Sequence, residues 1–376
     1  MPLWLEMRSA SVARWTDRGK AALARYLRTI LLAALAVANG VLVACAHAQS
    51  PEKLRAYAAN VSAVSVSGVS AGGYMAVQFH VAHSAIVRGA GILAAGPYYC
   101  AQGSSWAAQG NCMKPDLLAP VTATPLIKSE TDTLAELNAI DDTANLRRAR
   151  VWLFSGTRDE TVLPIVVEAL ARFYRLYVPA ASIKLVRDVA AGHAMVTGDY
   201  GGSCSVTAAP YINNCHYDAA GQLLEYIEGP LAQPAVQEGG RLVAFDQSEF
   251  ANGSPGGISM ADTGYAYVPR NCDTKSCRVH VAFHGCEQSA EAQGLAFVRH
   301  AGYNRWADTN GMIVLYPQTV ASYGLGGWPP RLVFNPHGCW DWWGYTTPDY
   351  HTRNGPQIRA IKAMLDRLGQ KRPSGK

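Results

Sequence analysis

Gly68-Val69-Ser70-Ala71-Gly72 sets a serine between two glycines, after the apolar positions Val61, Val64 and Val66 and before a stretch, residues 74–83, that can form a helix. A sharp strand-to-helix turn crowds its own backbone, so small residues must flank the serine, whose hydroxyl is pushed out above the sheet. The helix N-terminus then aims backbone N–H groups, that of Ala71 among them, at a developing oxyanion. A serine hydroxyl is a weak nucleophile until a histidine takes its proton and a carboxylate orients that histidine. Val151-Trp-Leu-Phe-Ser-Gly-Thr-Arg-Asp159 supplies an apolar strand, a glycine turn and a carboxylate; Ile183-Lys-Leu-Val-Arg-Asp-Val-Ala-Ala-Gly-His193 supplies a strand, a glycine and an imidazole. Asp188 and Asp199 lie nearer His193 in sequence, but Asp188 falls within the strand-like run, where its side chain need not reach the strand end. The expected set is therefore Ser70, Asp159 and His193. His80 and His83 could form half of a metal site, but no second ligand motif accompanies them, so they are read as packed or helix-surface residues.

These residues need a scaffold that ends several strands on one edge. Short apolar segments closing on Gly or turn residues recur at 89–95, 151–154, 183–189, 279–283 and 312–316, with helical stretches such as 166–176 and 357–368 between them. Buried strands alternating with helices predict an α/β fold with a mainly parallel central sheet. The pieces 242–246 and 264–268, around a Gly-rich segment at 252–257, read as an antiparallel hairpin or sheet edge. In α/β-hydrolases the triad runs Ser, Asp or Glu, His, and a second oxyanion donor follows a strand that precedes the serine. Here no such strand lies upstream of Ser70, whereas Val279-His-Val-Ala-Phe-His284-Gly285-Cys286 lies downstream. Joining the end near Leu368 to the start near Glu52 restores the usual order, so the chain reads as a circularly permuted α/β-hydrolase with the Cys286 N–H as partner to that of Ala71.

Charged residues make up only 16% of the 376-residue chain, against roughly 25% in ordinary soluble domains. Six basic groups sit in residues 1–48 against Glu6 and Asp17, which leaves 27 basic and 26 acidic groups beyond them. A body near +1 offers no footprint for a phosphate backbone, so nucleic acid is excluded as a partner. The basic start, the apolar run of residues 29–44 and Ala46-His47-Ala48 read as a secretory signal cleaved before Gln49; the run is short for a membrane anchor. Leu42-Val43-Ala44-Cys45 is a competing lipoprotein box, which would leave Cys45 acylated. Residues 49–376 then form one catalytic domain, with neither a repeat nor a linker to an appended module. The remaining eight cysteines predict disulfides in an exported chain. Cys100 with Cys112, Cys204 with Cys215, and Cys272 with Cys277 lie close in sequence, which leaves Cys286 to meet Cys339; eight cysteines allow 105 connectivities. No C-x-x-C occurs, and neither a metal nor an organic cofactor is expected.

The motifs Ser67-Gly-Val-Ser-Ala-Gly-Gly-Tyr-Met75, Gly156-Thr-Arg-Asp-Glu-Thr-Val162, Ala191-Gly-His193, Phe283-His-Gly-Cys286, Tyr316-Pro-Gln318 and Gly338-Cys-Trp-Asp-Trp-Trp343 resemble those of the extracellular polyhydroxybutyrate (PHB) depolymerases of the single-domain, circularly permuted type. The first motif is generic; the His-Gly-Cys and Cys-Trp-Asp-Trp pair is discriminating. The resemblance implies a secreted serine esterase that cuts poly[(R)-3-hydroxybutyrate] through an acyl-enzyme, with Ser70 as nucleophile, His193 as base and acid, Asp159 as its orienter and the Cys286 N–H as an oxyanion donor. It implies a solid or oligomeric polyester as the partner of a monomer that adsorbs through its own surface. A polyester presents methyl groups and ester dipoles, which aromatic rings can meet without charge. Trp340, Trp342 and Trp343, with Tyr345 beside them and Tyr323 and Trp328 upstream, are the candidates. Alternation along a short extended segment would bury some and expose the others. Trp340, Trp342, Trp343 and, secondarily, Tyr98 with its neighbour Tyr99 are thus expected at the substrate cleft. Two other functions share the motif set: a carbohydrate esterase releasing acetyl or feruloyl groups, and a noncatalytic polymer-binding protein on the same scaffold.

Overall fold

Residues 60–69 alternate so that Val64 and Val66 point to one side of the backbone and Ser65 and Ser67 to the other, and all four are buried. They form the strand on which the sheet is centred. A computed structural model describes residues 51–115, 124–251, 254–326 and 331–372. The expected leader with Cys45, two residues of the Gly-rich turn (Asn252 and Gly253) and Trp328 lie outside the described residues. The described residues from Pro51 onward gather into one compact unit.

The elements in chain order are β1 (Asn60–Val69), α1 (Ala71–Ala82), β2 (Val87–Leu93), α2 (Ser105–Cys112), α3 (Thr124–Glu136), β3 (Arg150–Phe154), α4 (Pro164–Tyr174), β4 (Ile183–Val186), β5 (Met195–Thr197), β6 (Gly202–Ser203), β7 (Ile212–Asn214), α5 (Ala219–Glu228), β8 (Arg241–Asp246), β9 (Thr263–Val268), β10 (Arg278–Phe283), α6 (Ala290–Gln293), α7 (Ala296–His300), α8 (Tyr303–Asn310), β11 (Met312–Tyr316), β12 (Ser322–Gly326), β13 (Arg331–Asn335) and α9 (Pro356–Gly369). Eight strands make the main sheet in the order β4-β3-β2-β1-β10-β11-β9-β8. The six from β4 to β11 run parallel, and β9 and β8 close one edge antiparallel. That is the mainly parallel sheet with an antiparallel edge read from the sequence.

Strand periodicity divides the interior into two cores. Val151 and Leu153 of β3, Val279 and Val281 of β10, and Ile313 and Leu315 of β11 face one side with α1, α4 and α9. Trp152, Phe154, Met312, Val314 and Tyr316 face the other, with α5 and α8. Helix α9 presents Ile358, Ile361, Met364, Leu365 and Leu368 as one apolar stripe at helical spacing. Helix α1 is buried on every side, and α9 ends beside the start of β1, where the N–H groups of Tyr57 and Ala59 donate to the Leu368 carbonyl at 3.1 and 3.0 Å. This adjacency of the two ends is the signature of the circular permutation. Its consequence is that β1 lies between β2, the next strand in the chain, and β10 from the far half.

Four disulfides pair Cys100 with Cys112, Cys204 with Cys215, Cys272 with Cys277, and Cys286 with Cys339. The last closes a separation of 53 residues, for which chain-entropy reasoning gives a stabilisation of about 4 kcal/mol.

The core also holds imidazoles. Burial pushes His80 and His280 down to about 3, and His83, His284 and His351 down to about 4. Their folded-state pKa values lie below the ordinary 6.5, so the unfolded chain binds protons first as the pH falls. Their contribution is complete above pH 6.5 or so and is lost progressively between there and the folded values. The thermal midpoint should therefore be level from pH 8 to 7 and decline steeply toward pH 4.5; a midpoint unchanged across that interval would contradict the buried, neutral assignment.

Candidate active site

Ser70 is the hinge between β1 and α1. Its backbone stands at φ 57° and ψ −126°, a conformation that costs a non-glycine residue on the order of 1–3 kcal/mol and persists only where the surroundings impose it. They do so tightly. A Cβ on Gly68 would lie 2.2 Å from the Gly72 carbonyl oxygen, and one on Gly72 would lie 2.3 Å from the carbonyl oxygens of Phe283 and His284. Both glycines are thus required by close approach, the second because α1 starts against the end of β10.

Asp159 and His193 meet beyond the ends of β3 and β4. The carboxylate can only accept, so His193 Nδ1–H donates to Asp159 Oδ2 at 2.8 Å, which leaves Nε2 free to take a proton. Asp159 Oδ1 accepts from the N–H groups of Thr161 and Val162, both at 2.9 Å. The loop of Asp159 is pinned to that of His193: Thr157 N–H donates to the Val189 carbonyl at 2.9 Å and Arg158 N–H to the Ala191 carbonyl at 3.0 Å. Both side chains are buried. Strand β4 ends at Val186 rather than at residue 189, so Asp188 lies past the strand and is exposed, and Asp199 pairs with Arg305 at 3.2 Å. His80 is packed with its Nδ1 3.0 Å from the Tyr174 hydroxyl. Among the described residues no cluster of three His, Cys, Asp or Glu side chains could hold a metal.

The His284-Gly285-Cys286 turn follows β10 and is braced from every side. Trp340 Nε1–H donates to the His284 carbonyl at 3.0 Å, and Gly285 N–H donates to Gln288 Oε1 at 2.7 Å. Thr319 N–H donates to His284 Nε2 at 3.2 Å, which fixes Nδ1 as the protonated nitrogen, directed at the Gly285 carbonyl at 2.7 Å. Among the described residues the Cys286 N–H has no acceptor. A Cβ on Gly285 would come within 3.4 Å of Ser70 Cβ, so this turn borders the serine directly.

Ser70, His193 and Cys286 line one cleft of about 720 Å³, walled largely by apolar side chains that include Tyr74, Val162, Trp342 and Trp343. The expectation for the aromatic cluster divides here. Trp340 and Tyr98 are corrected: neither lines the cleft, and both are fully buried, Trp340 against Phe283 and Tyr98 with its hydroxyl donated to the His351 carbonyl at 3.0 Å. Tyr99 stacks on His351 and is absent from the cleft wall. The physical reason for the division is that residues 340–346 are not extended. They curl around the buried Asp341 carboxylate, which takes the N–H groups of Gly344, Tyr345 and Thr346 at 2.7, 3.0 and 2.8 Å. The turn sends Trp340 inward and lays Trp342 on Tyr74, ring centroids 4.0 Å apart and nearly parallel. Phe334 on β13 and the group Tyr211, Glu287 and His337 also border the cleft; sequence reasoning missed them, although Glu287 follows Cys286 directly and His337 stands two residues before Cys339.

With the geometry in place, two relatives are informative. A poly(3-hydroxybutyrate) depolymerase of Delftia acidovorans is 45% identical over 309 residues, which cover 81% of this chain and 59% of that protein. A polyhydroxybutyrate depolymerase of Talaromyces funiculosus is 38% identical over 337 residues, which cover 87% of this chain and 96% of that protein. The chain thus spans about six-tenths of the length of the first and nearly all of the second. Among solved structures, a PHB depolymerase from Penicillium funiculosum and a PHB depolymerase complexed with an R3HB trimer each match with a TM-score of 0.75 and 36% identity, over 84% of this chain and 98% of theirs. No family model matches the chain. A serine at a strained strand-to-helix turn, on a permuted parallel sheet and in a sequence this close to the Talaromyces enzyme along nearly its whole length, places the chain in the polyhydroxybutyrate depolymerase family.

Proposed function

We propose that the protein is an exported serine esterase that hydrolyses poly[(R)-3-hydroxybutyrate] or a related short-chain polyester. The observation that carries this is the 2.8 Å hydrogen bond from His193, which lines the cleft together with Ser70, to Asp159 behind it. The Ser70 hydroxyl attacks the ester carbonyl while His193 Nε2 takes its proton; the tetrahedral oxyanion lies between the N–H groups of Ala71 and Cys286. The imidazolium, stabilised by Asp159, gives its proton to the departing alkoxide, leaving an acyl-enzyme. Water, deprotonated by the same nitrogen, then releases the acid and restores Ser70. The four disulfides support an oxidising compartment outside the cytoplasm. Trp342, Trp343 and Tyr74 are the apolar wall against which an ester chain would lie.

A solid substrate is favoured by the hairpin of β12 and β13. Tyr323 pairs with Phe334 and Leu325 with Leu332, so the four share one face, and they are 66%, 64%, 84% and 75% exposed. An uncovered apolar face of this kind marks an interaction surface, and Phe334 joins it to the cleft. Incubation with polymer film should release hydroxybutyrate and its oligomers, whereas acetate release from acetylated xylan without attack on film would favour a carbohydrate esterase. The double variant Leu325→Ser/Leu332→Ser should adsorb to film about tenfold more weakly, from the loss of apolar area on two leucines, and should hydrolyse a small soluble ester within twofold of the parent. Undiminished adsorption would remove this face from the account.

A further inference from the structure

The cleft holds a set of polar contacts that the acyl-enzyme mechanism does not use. Tyr211 donates its hydroxyl to Glu287 Oε2 at 2.6 Å, and His337 Nδ1 lies 2.6 Å from Glu287 Oε1. The Glu287 N–H donates to the His337 carbonyl at 2.7 Å. All three residues border the cleft, and Glu287 is the residue after the proposed oxyanion donor Cys286.

The three come from different parts of the chain. Glu287 belongs to the turn after β10. His337 belongs to the segment that leads from β13 to Cys339, the disulfide partner of Cys286. Tyr211 immediately precedes β7, which pairs with β5, the strand that begins two residues after His193. The Tyr211 carbonyl accepts from the Met195 N–H at 2.8 Å and from Gln288 Nε2 at 2.7 Å. Glu287 is therefore the node at which the oxyanion turn, the cleft wall and the segment behind the base are joined.

The backbone at that node is strained. Glu287 has φ 57° and Tyr211 has φ 57°, in the left-handed region that non-glycine side chains seldom adopt. A strained residue keeps such a conformation only if its surroundings over-determine it, and here the side chain supplies two charge-assisted hydrogen bonds in addition to the backbone one. Those from Tyr211 and His337 hold the Glu287 carboxyl below the usual carboxylate range, so it remains an acceptor at neutral pH. Oxyanion donors act by being fixed in advance, so a displacement of a few tenths of an ångström is felt in the transition state and not in substrate binding.

We infer that Glu287 is a positioning residue for the oxyanion donor: its carboxylate, held by Tyr211 and His337, locks the Cys286 N–H in register with Ser70 and His193. This rests on the esterase reading of the site. The test is Glu287→Gln, which keeps the volume of the side chain and removes its charge and one acceptor. The expected result on a soluble short-chain ester is a kcat about tenfold to thirtyfold lower, less than the hundredfold or more for complete loss of an oxyanion donor, with KM within twofold. An alkyl boronic acid, which forms a tetrahedral adduct on the serine, should bind more weakly by the same factor as kcat/KM. Tyr211→Phe, which removes one hydrogen bond and leaves the charge, should lower kcat about threefold, and adding it to Glu287→Gln should cost nothing further.

A Glu287→Gln enzyme with kcat and boronate affinity within twofold of the parent would overturn the inference, as would a raised KM at unchanged kcat, which would make Glu287 a substrate contact. Should Glu287→Gln fail to fold, Tyr211→Phe decides, and unchanged kcat and boronate binding there would overturn it. Ser70→Ala run in parallel keeps the two claims apart: if that variant still turns over ester, the esterase assignment falls and this inference with it, whereas a dead Ser70→Ala beside a fully active Glu287→Gln removes only the role of Glu287.

Discussion

Ser70→Ala should lose about five to six powers of ten in kcat, the size of effect seen when the nucleophile of a serine triad is removed, while still adsorbing to polymer and retaining its fold. Ser105, Thr161 and Thr207 also border the cleft, but none stands at the turn between β1 and α1: without the Ser70 hydroxyl His193 can at most activate water, and the oxyanion donors account for the residual rate over water. Alanine keeps the Cβ, so the strain at φ 57° is retained. Ser70→Gly removes the Cβ as well as the hydroxyl. It should be equally inactive and yet raise the thermal stability by about 1 kcal/mol, because glycine adopts this backbone without steric cost. Parallel melting curves and ester assays on the two variants separate the contributions. Turnover at the parental rate in either variant would defeat the assignment of the nucleophile, and a Ser70→Gly protein less stable than Ser70→Ala would defeat the assignment of strain.

Asp159→Asn carries the next largest effect, a kcat about 10⁴-fold lower with KM little changed, because an amide can donate to Nδ1 and so present the imidazole in the wrong tautomer. The surroundings make the substitution informative. Asp159 Oδ1 is committed to the N–H groups of Thr161 and Val162, so the Asn oxygen will take that place and its NH₂ must face His193. Asp188→Asn and Asp199→Asn should leave kcat within twofold, since the first is exposed past the end of β4 and the second is paired with Arg305. A loss of turnover in Asp188→Asn with an active Asp159→Asn would reassign the carboxylate.

The parts of the fold legible in the sequence are those where a single period dominates. Strands β3, β10 and β11 are apolar runs, interrupted inside β10 only by the buried His280, because both faces are covered, and their limits fall within a residue of the sequence reading. The permuted order was legible because His284-Gly285-Cys286 and Ser70 carry recognisable chemistry at strand ends. Less local features were not legible. Helix α1 begins at Ala71 rather than near Tyr74, since the elbow turns directly into the helix. The strands of the small β5-β7-β6 sheet are two or three residues long, too short to show a period, and the β12–β13 hairpin turns its large apolar side chains to solvent, against the usual core pattern. The tryptophan cluster, whose pattern alone suggests an extended segment, is a turn, because its geometry is dictated by Asp341, whose carboxylate sits among N–H groups three to five residues ahead. The Glu287 contacts involve pairs 50 and 76 residues apart, beyond the reach of any local pattern.

The position of β1 between β2 and β10 bears on how the protein is made. Ser65 and His280, hydrogen-bonded across the central seam, are 215 residues apart in the chain, so a polypeptide emerging from the ribosome carries its serine long before the strand that will flank it exists. Loop closure of that length is slow and entropically costly, and the half of the cleft that includes Cys286 is synthesised long after the half that includes Ser70. A partly translated chain therefore has no working pocket. The cleft comes into being only when segments from both ends of this stretch, Ser70 on one side and Cys286 and His337 on the other, are available to line it.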